Sequence, residues 1–278
     1  MSTIHTRMKH NYEEVSKYRL TRRTPVIIRL DGKAFHTFTK GLKRPYDEIF
    51  HTAMNETMLY LCENIQGCKI GYTQSDEITL LLTDFDTLTS DAWFDYEVQK
   101  MCSVSASMAT LAFNQTFNKL VKNYTDSSLC WCEMSGEDKK YLMSLHSKTN
   151  KAMFDSRCFN IPVEEVVNCF IWRQQDATRN AIQMLGQAHF SAEELKGKKN
   201  DQIQDMLMTQ KNINFNDMPT EFKRGVCCIR KDFYPEPKVG YEDCPIDATS
   251  VTKSWVIDTN IPVFTQDREY IEDVIPKI

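Results

Sequence analysis

The chain reads as an α+β fold of the split βαβ, ferredoxin-like type (βαββαβ), followed by additional C-terminal helices and strands. Three observations predict it. Short apolar or β-branched runs at Val26–Ile28, Cys68–Tyr72, Ile78–Leu82 and within Phe154–Pro162 read as four strands. Two longer stretches between them carry apolar residues at helical spacing. The second and third strands are separated only by Thr73-Gln-Ser-Asp-Glu77, short enough for a hairpin. Strand, helix, strand, strand, helix, strand is the order of the split βαβ unit.

Residues 1–24 are polar and basic, and read as an arm or short helix anchored by Tyr12, Val15, Tyr18 and Leu20. Pro25 is tolerable at the entrance of the first strand, which delivers Asp31 straight into Gly32. Glycine there lets the backbone turn and approach a ligand. Phe35 and Phe38 read as packed, and Gly41–Pro45 as a basic loop. Pro45 is expected to open a helix to about Glu63, with Ile49, Phe50, Ala53, Met54, Met58 and Leu61 on one face. The periodicity predicts a second helix over Asp91–Asn118, then a polar, irregular stretch over 119–153. Beyond Pro162 the spacing turns helical through Val166, Phe170, Ala177, Ala181 and Leu185. Ser191–Glu194 matches a capping box, and Lys223–Arg230 and Trp255–Ile257 read as late strands. The division expected is 1–162 and 163–278, packed as one unit, without repeats or a low-complexity linker.

Composition narrows the class. At 278 residues, 41% hydrophobic and 26% charged, the chain can bury a sizeable core and is not of disordered type. No apolar stretch approaches the roughly 18–20 residues needed to span a bilayer. The N-terminus lacks an apolar signal segment, so a cytoplasmic location is expected, with no membrane partner. Ten cysteines lie mostly among apolar neighbours, as small core residues do; Cys130-Trp-Cys132 has no Cys-x-x-Cys companion. Net charge is −4, but residues 1–45 carry 11 Lys/Arg against 3 Asp/Glu, and residues 46–100 carry 2 against 11. That polarity could set phosphate-binding cations beside an acidic, metal-binding rim, or be solvated surface.

In a split βαβ unit the first strand and the central hairpin are neighbours, so Asp31 and Asp76 can approach each other. Their repulsion raises one pKa unless a cation lies between them. Mg²⁺ is commonly held by one or two carboxylates plus substrate phosphates, and a pair of such ions can activate a hydroxyl and stabilise departing pyrophosphate. The Gly32 carbonyl offers a third ligand, and the amides of Lys33, Ala34, Phe35 and His36 could face a triphosphate in a nest-like turn. The alternatives are an ordinary Asp-Gly turn, a solvated acidic tip at Ser75-Asp76-Glu77, and a packed or capping His36.

Four segments carry a family likeness: Ile28-Arg-Leu-Asp-Gly-Lys-Ala-Phe-His36, Gly71-Tyr-Thr-Gln-Ser-Asp-Glu77, Phe154-Asp-Ser-Arg157 and Trp172-Arg-Gln-Gln-Asp176. Together with Asn212-Ile-Asn-Phe-Asn216 and Lys223-Arg-Gly225, they make residues 10–232 resemble the tRNA-His guanylyltransferase superfamily. The resemblance implies a polymerase/cyclase-type palm, within residues 1–162, that adds nucleotides in the 3′–5′ direction to the 5′ end of tRNA, commonly as a homotetramer. It implies two Mg²⁺ ions on Asp31, the Gly32 carbonyl and Asp76, with Asp31, Asp76 and Glu77 catalytic. The triphosphate of ATP, GTP or another NTP would lie against Asp31, Gly32, Lys33, Ala34, Phe35, His36, Arg44, Ser75 and Asp76. Lys100, Arg157, Arg173 and Asn180 would contact tRNA or phosphate. ATP would adenylylate the 5′-monophosphate, and the 3′-hydroxyl of the incoming NTP would displace AMP. After Trp-Arg-Gln-x-Asp, eukaryotic members carry His-Ile-Asn-Asn-Leu-Tyr; here Thr178-Arg-Asn-Ala-Ile-Gln183 keeps one asparagine, Asn180, in register. The departure points to the template-dependent like-protein branch, which repairs truncated tRNA 5′ ends. A nucleotide cyclase and a catalytically silent tRNA-binding protein are the alternative readings.

Overall fold

One six-stranded sheet organises the molecule, in the order β4-β1-β3-β2-β5-β6 with every pair antiparallel. The computed structural model describes residues 3–128, 130–233 and 252–277. Cys244 and the late prolines Pro235, Pro237 and Pro245 lie outside the described residues. The first four strands are β1 (Val26–Gly32), β2 (Cys68–Gln74), β3 (Glu77–Leu82) and β4 (Phe154–Asn160), in the split βαβ arrangement. β5 (Val226–Phe233) and β6 (Thr252–Asp258) fall on the runs Lys223–Arg230 and Trp255–Ile257 that read as late strands, and they extend the sheet on its β2 side.

β1 is apolar without interruption at its start because both its faces are covered. Ile28 and Leu30 join the core under α3 (Glu48–Asn64) and α4 (Val98–Ser127), whereas Ile27 faces Val166, Val167 and Phe170 of α6 (Val163–His189). Two short helices precede α3: α1 (Ile4–Met8) and α2 (Phe35–Phe38). Then follow α5 (Gly136–Lys148), α7 (Ala192–Leu195), α8 (Asn200–Lys211), α9 (Thr220–Arg224) and α10 (Glu269–Glu272). A third apolar cluster joins the C-terminal half of α6 to Ile203 and Leu207 of α8 and to Phe215. Among the described residues no helix is long and apolar enough to cross a membrane.

Several boundaries differ from expectation for identifiable reasons. α3 opens at Glu48, because Asp47 is its N-cap and accepts the Phe50 amide at 3.0 Å; Pro45 lies outside the helix. α4 starts late because Phe94, Asp95 and Tyr96 sit at positive φ in a separate turn. The stretch 119–153 is not irregular: it holds the end of α4 and all of α5, whose buried Tyr141, Leu142 and Leu145 are diluted by lysines in the sequence. Of the four expected anchors in the N-terminal arm only Leu20 is buried, its amide donating to the Tyr96 carbonyl at 3.0 Å; Tyr12, Val15 and Tyr18 are exposed.

The turn after β1 is seated on an aromatic cluster. Phe35 stacks on Phe38 at 4.8 Å and meets Phe113 at 5.6 Å and Phe154 at 5.1 Å. Gly32 exists for this packing: a Cβ there would fall 2.4 Å from the Phe35 ring. Phe113→Ala, at a fully buried position, is expected to destabilise the fold by about 3–5 kcal/mol and to loosen the turn above it. Chemical denaturation gives the first quantity, and amide exchange across residues 33–38 the second.

Candidate active site

The antiparallel register decides where the acidic groups meet. Asp31 lies opposite Glu77 of β3 and Asp155 of β4, so all three side chains emerge on one face of the sheet. β2 and β3 overlap through Gln74 and Glu77, leaving only Ser75 and Asp76 in the turn, with Ser75 left-handed at φ 50°. The Gly32 amide donates to the Asp76 carbonyl at 3.0 Å, which fastens the hairpin tip against the end of β1. Asp76 is pushed up to about 6, first by burial and then by the charge of Asp31. Two carboxylates that repel in this way, beside a backbone carbonyl, form an all-oxygen donor set suited to a hard divalent cation. Among the described residues no group of three or more His, Cys, Asp or Glu could hold a metal by itself. A cation here would draw its remaining ligands from substrate phosphate and water.

The carboxylates open into a cleft of about 710 Å³. One wall comes from Gly32, Ala34, Phe35, His36, Arg44 and Ser75, and the other from α6 and α9 through Asn180, Met184, Gln187 and Phe222. Ala34 adopts a left-handed conformation at φ 56°, uncommon for a residue with a Cβ, and starts α2. The first amides of that turn have no partner within a helix. Lys33 departs from the expected nest: its amide is taken by the Met153 carbonyl at 2.8 Å, and its side chain is exposed outside the cleft.

Glu77 and Arg173 do not line the cleft. Glu77 is 7% exposed and Arg173 3%. Arg173 Nη1 donates to both oxygens of Glu77 at 3.1 and 3.0 Å, while Arg29 Nη2 lies 2.9 Å from Oε2. Arg173 also reaches Asp176 at 3.6 Å and lies over the Trp172 ring at 3.5 Å. The Trp-Arg-Gln-x-Asp motif is thus a clamp on the strand that follows Asp76. Burial withdraws Arg173 from the phosphate contact expected of it, and withdraws Glu77 from the cleft. Arg157 is exposed, 2.9 Å from Asp155 and 4.0 Å from Asp31, so its cation stands beside the carboxylate pair. Lys100 is not brought to the cleft; it lies over the Phe94 ring at 4.6 Å.

The segment Thr178–Gln183 is more than outer helix surface. Asn180 lines the cleft, Thr178 Oγ1 donates to the Lys223 carbonyl at 3.0 Å, and Gln183 Nε2 donates to Asn200 at 2.6 Å. The segment therefore ties α6 to the end of α9 and to α8. Sequence reasoning missed Tyr46, His51, Glu221 and Phe222 in the cleft. The nearest signal was the pair of basic turns flanking them, Gly41–Pro45 and Lys223–Gly225.

Two outcomes follow from the charges. Removing the Glu77 carboxylate strands two arginines, so Glu77→Ala is expected to cost about 3–5 kcal/mol in denaturant unfolding, with or without divalent cation. Asp76 has the opposite sign. Its folded-state pKa lies above the ordinary 3.8, so ionisation above about 6 opposes folding. Asp76→Asn is expected to raise the metal-free Tm near neutral pH, with the gain shrinking toward pH about 4. Thermal melts in chelator across that range measure it.

The sequence model of the tRNAHis guanylyltransferase family matches residues 5–162. A solved bacterial tRNA(His) guanylyltransferase-like protein in complex with ATP is 40% identical, with TM-score 0.78, over 98% of this chain and 99% of that one. A bacterial tRNA(His) guanylyltransferase-like protein in complex with GTP is 36% identical, with TM-score 0.73 and the same coverage. The Schizosaccharomyces pombe tRNA(His) guanylyltransferase is 28% identical, over 80% of this chain and 81% of that protein. With its sheet order, its cleft carboxylates and these likenesses together, the chain belongs to the tRNA-His guanylyltransferase family, a family of nucleotidyltransferases.

Proposed function

We propose that this chain is a Mg²⁺-dependent 3′–5′ nucleotidyltransferase that adds nucleotides to the 5′ end of tRNA, with templated repair of truncated ends as its task. The observation that carries the reading is the meeting of Asp31 and Asp76 at the mouth of a cleft lined by Gly32, Ala34, Phe35 and His36. The whole-chain likeness to bacterial proteins of the like-protein type, and the departure at Thr178–Gln183, support repair over guanylate addition confined to tRNA-His.

In this reading Asp31, the Gly32 carbonyl and Asp76 hold the cations, which when bound supply charge neutralisation and a lowered hydroxyl pKa. The chain's own groups do the positioning. The amides at Ala34, Phe35 and His36 receive phosphate oxygens, and Arg44 supplies a cation on the same wall. Arg157 offsets negative charge beside Asp31, and Asn180 presents an amide from the opposite wall. Glu77 acts through Arg29 and Arg173, as a positioning residue that fixes the strand beyond Asp76. Two displacements at phosphorus follow. The tRNA 5′-phosphate attacks the α-phosphorus of ATP and pyrophosphate leaves; the 3′-hydroxyl of the incoming NTP then attacks the activated 5′-phosphorus and AMP leaves. Positioning and charge neutralisation carry both steps. A homotetramer, a cytoplasmic location, and a palm over 1–162 packed with the 163–278 region belong to the same reading.

The test supplies a tRNA lacking its first nucleotide, ATP, Mg²⁺ and labelled GTP. Extension that follows the opposing template base is expected, and Asp31→Asn should lower it by about 10²-fold or more. No extension on any tRNA, with either 5′-phosphorylation state, would sink the proposal. A cyclic product from NTP alone would instead favour the cyclase reading.

A further inference from the structure

The loop that carries Arg44 is held from outside the cleft. Residues 39–47 join α2 to α3, and Arg44 stands on the cleft wall, exposed. Among the described residues its guanidinium makes no ion pair. Its place at the cleft is therefore set through the backbone of the loop.

α5 grips that backbone on the approach to Arg44. Lys148, the last residue of α5, is 9% exposed, and its Nζ donates to the Lys40 carbonyl and to Ser144 Oγ, each at 2.9 Å. Burial pulls this ammonium below its ordinary value, and the charge of Asp47 opposes the pull. A cation withdrawn from water in this way is costly unless it is hydrogen-bonded and offset by charge. Tyr141 Oη donates to Asp47 Oδ2 at 2.8 Å, and the same oxygen accepts the Lys43 amide at 3.0 Å. Lys43 directly precedes Arg44, and its own ammonium lies 4.7 Å over the Tyr141 ring. Gly41, between the two gripped residues, is at φ +87°, and a Cβ there would fall 2.7 Å from Ser144 Oγ; only glycine lets the loop lie so close to α5. Tyr141, Ser144 and Lys148 do not line the cleft themselves.

We infer that Tyr141 and Lys148 are positioning residues for the nucleoside triphosphate: α5 fixes the backbone from Lys40 to Lys43, so that Arg44 meets phosphate already in place. The inference rests on the nucleotidyltransferase reading above and gives α5 a part in it. Satisfied buried polar networks rigidify what they connect, and a binding group held in its bound position loses less freedom when the ligand arrives. Apolar packing would hold α5 against the loop without fixing single backbone atoms. Here hydrogen bonds reach one carbonyl and one amide, on either side of Gly41.

The experiment measures equilibrium binding of ATP and of inorganic tripolyphosphate, both with Mg²⁺, to the wild type, Arg44→Ala, Tyr141→Phe, Lys148→Met and the two double variants with Arg44→Ala. Thermal melts establish that each is folded, and Tyr141→Phe, which removes only a hydroxyl, carries the test if Lys148→Met does not fold. Arg44→Ala is expected to weaken both ligands by about 10- to 150-fold. Tyr141→Phe and Lys148→Met should each weaken them by about 3- to 10-fold, the loss for a loop that holds its binding arrangement roughly a third to a tenth of the time. On the Arg44→Ala background neither should add more than about 2-fold, because the effect travels through Arg44. Faster amide exchange at Lys43 in Tyr141→Phe is expected alongside. A folded variant with unchanged binding would remove its residue from the inference, and both unchanged would overturn it. A full further loss on the Arg44→Ala background would overturn it too, since the effect would then bypass Arg44. So would an Arg44→Ala protein that binds both ligands as tightly as the wild type, a result that leaves the carboxylate chemistry standing. A wild type that binds neither ligand would overturn both readings together.

Discussion

Asp31 and Asp76 are held closer than their charges favour, and much of the surrounding architecture serves that proximity. β1 and β3 pair through Asp31 and Glu77, and the Gly32 amide adds a bond to the Asp76 carbonyl. The hairpin tip cannot retreat without breaking the end of the sheet. Burial first, and then the charge of Asp31, lets Asp76 keep its proton to about pH 6, and a divalent cation is the natural replacement for that proton. The site is thus poised by burial together with repulsion that the backbone enforces.

What lies around the carboxylates divides into two kinds of cation. The inner kind, buried Arg173 and half-buried Arg29, is consumed by Glu77 and packs with Trp172. It stabilises the strand carrying the site and lies outside the cleft lining. Arg29 Nε and Arg173 Nε are buried without partners, so the cluster is incompletely satisfied as well as costly to desolvate. The exposed kind, Arg157 and Arg44, keeps its charge available at the rim. The same residue type has two functions, and only burial separates them.

The cleft exists because a second layer closes over the split βαβ unit. α6 packs through Val166 and Phe170 on one sheet face and then lines the cleft with Asn180 and Met184. Thr178 and Gln183 tie that helix to α9 and α8, which brings Phe222 across from Tyr46. The aromatic wall and the acidic wall come from segments far apart in the chain. A helix face that reads as ordinary amphipathic pattern becomes a wall of the site.

The linear order of residues determined the strand run ending in Asp31-Gly32, the short hairpin tip carrying Asp76 and the split βαβ order, because periodicity, a glycine and a short connection are local signals. It was enough to nominate Asp31 and Asp76 as partners. It misplaced the α3 start, since Pro45 and Asp47 are both plausible openers and only the Asp47–Phe50 bond distinguishes them. It hid α5 behind lysines. Only the tertiary structure decided that Glu77 and Arg173 neutralise each other below the site, because acidic and basic residues nearly a hundred positions apart carry no mark of being buried together. Only it placed Tyr46 against Phe222, a contact that depends on how α9 is docked by Gly225 and Tyr72. Side-chain identity announced the charges; their burial and their neighbours, which set whether a charge can act on a substrate, are properties of the folded chain.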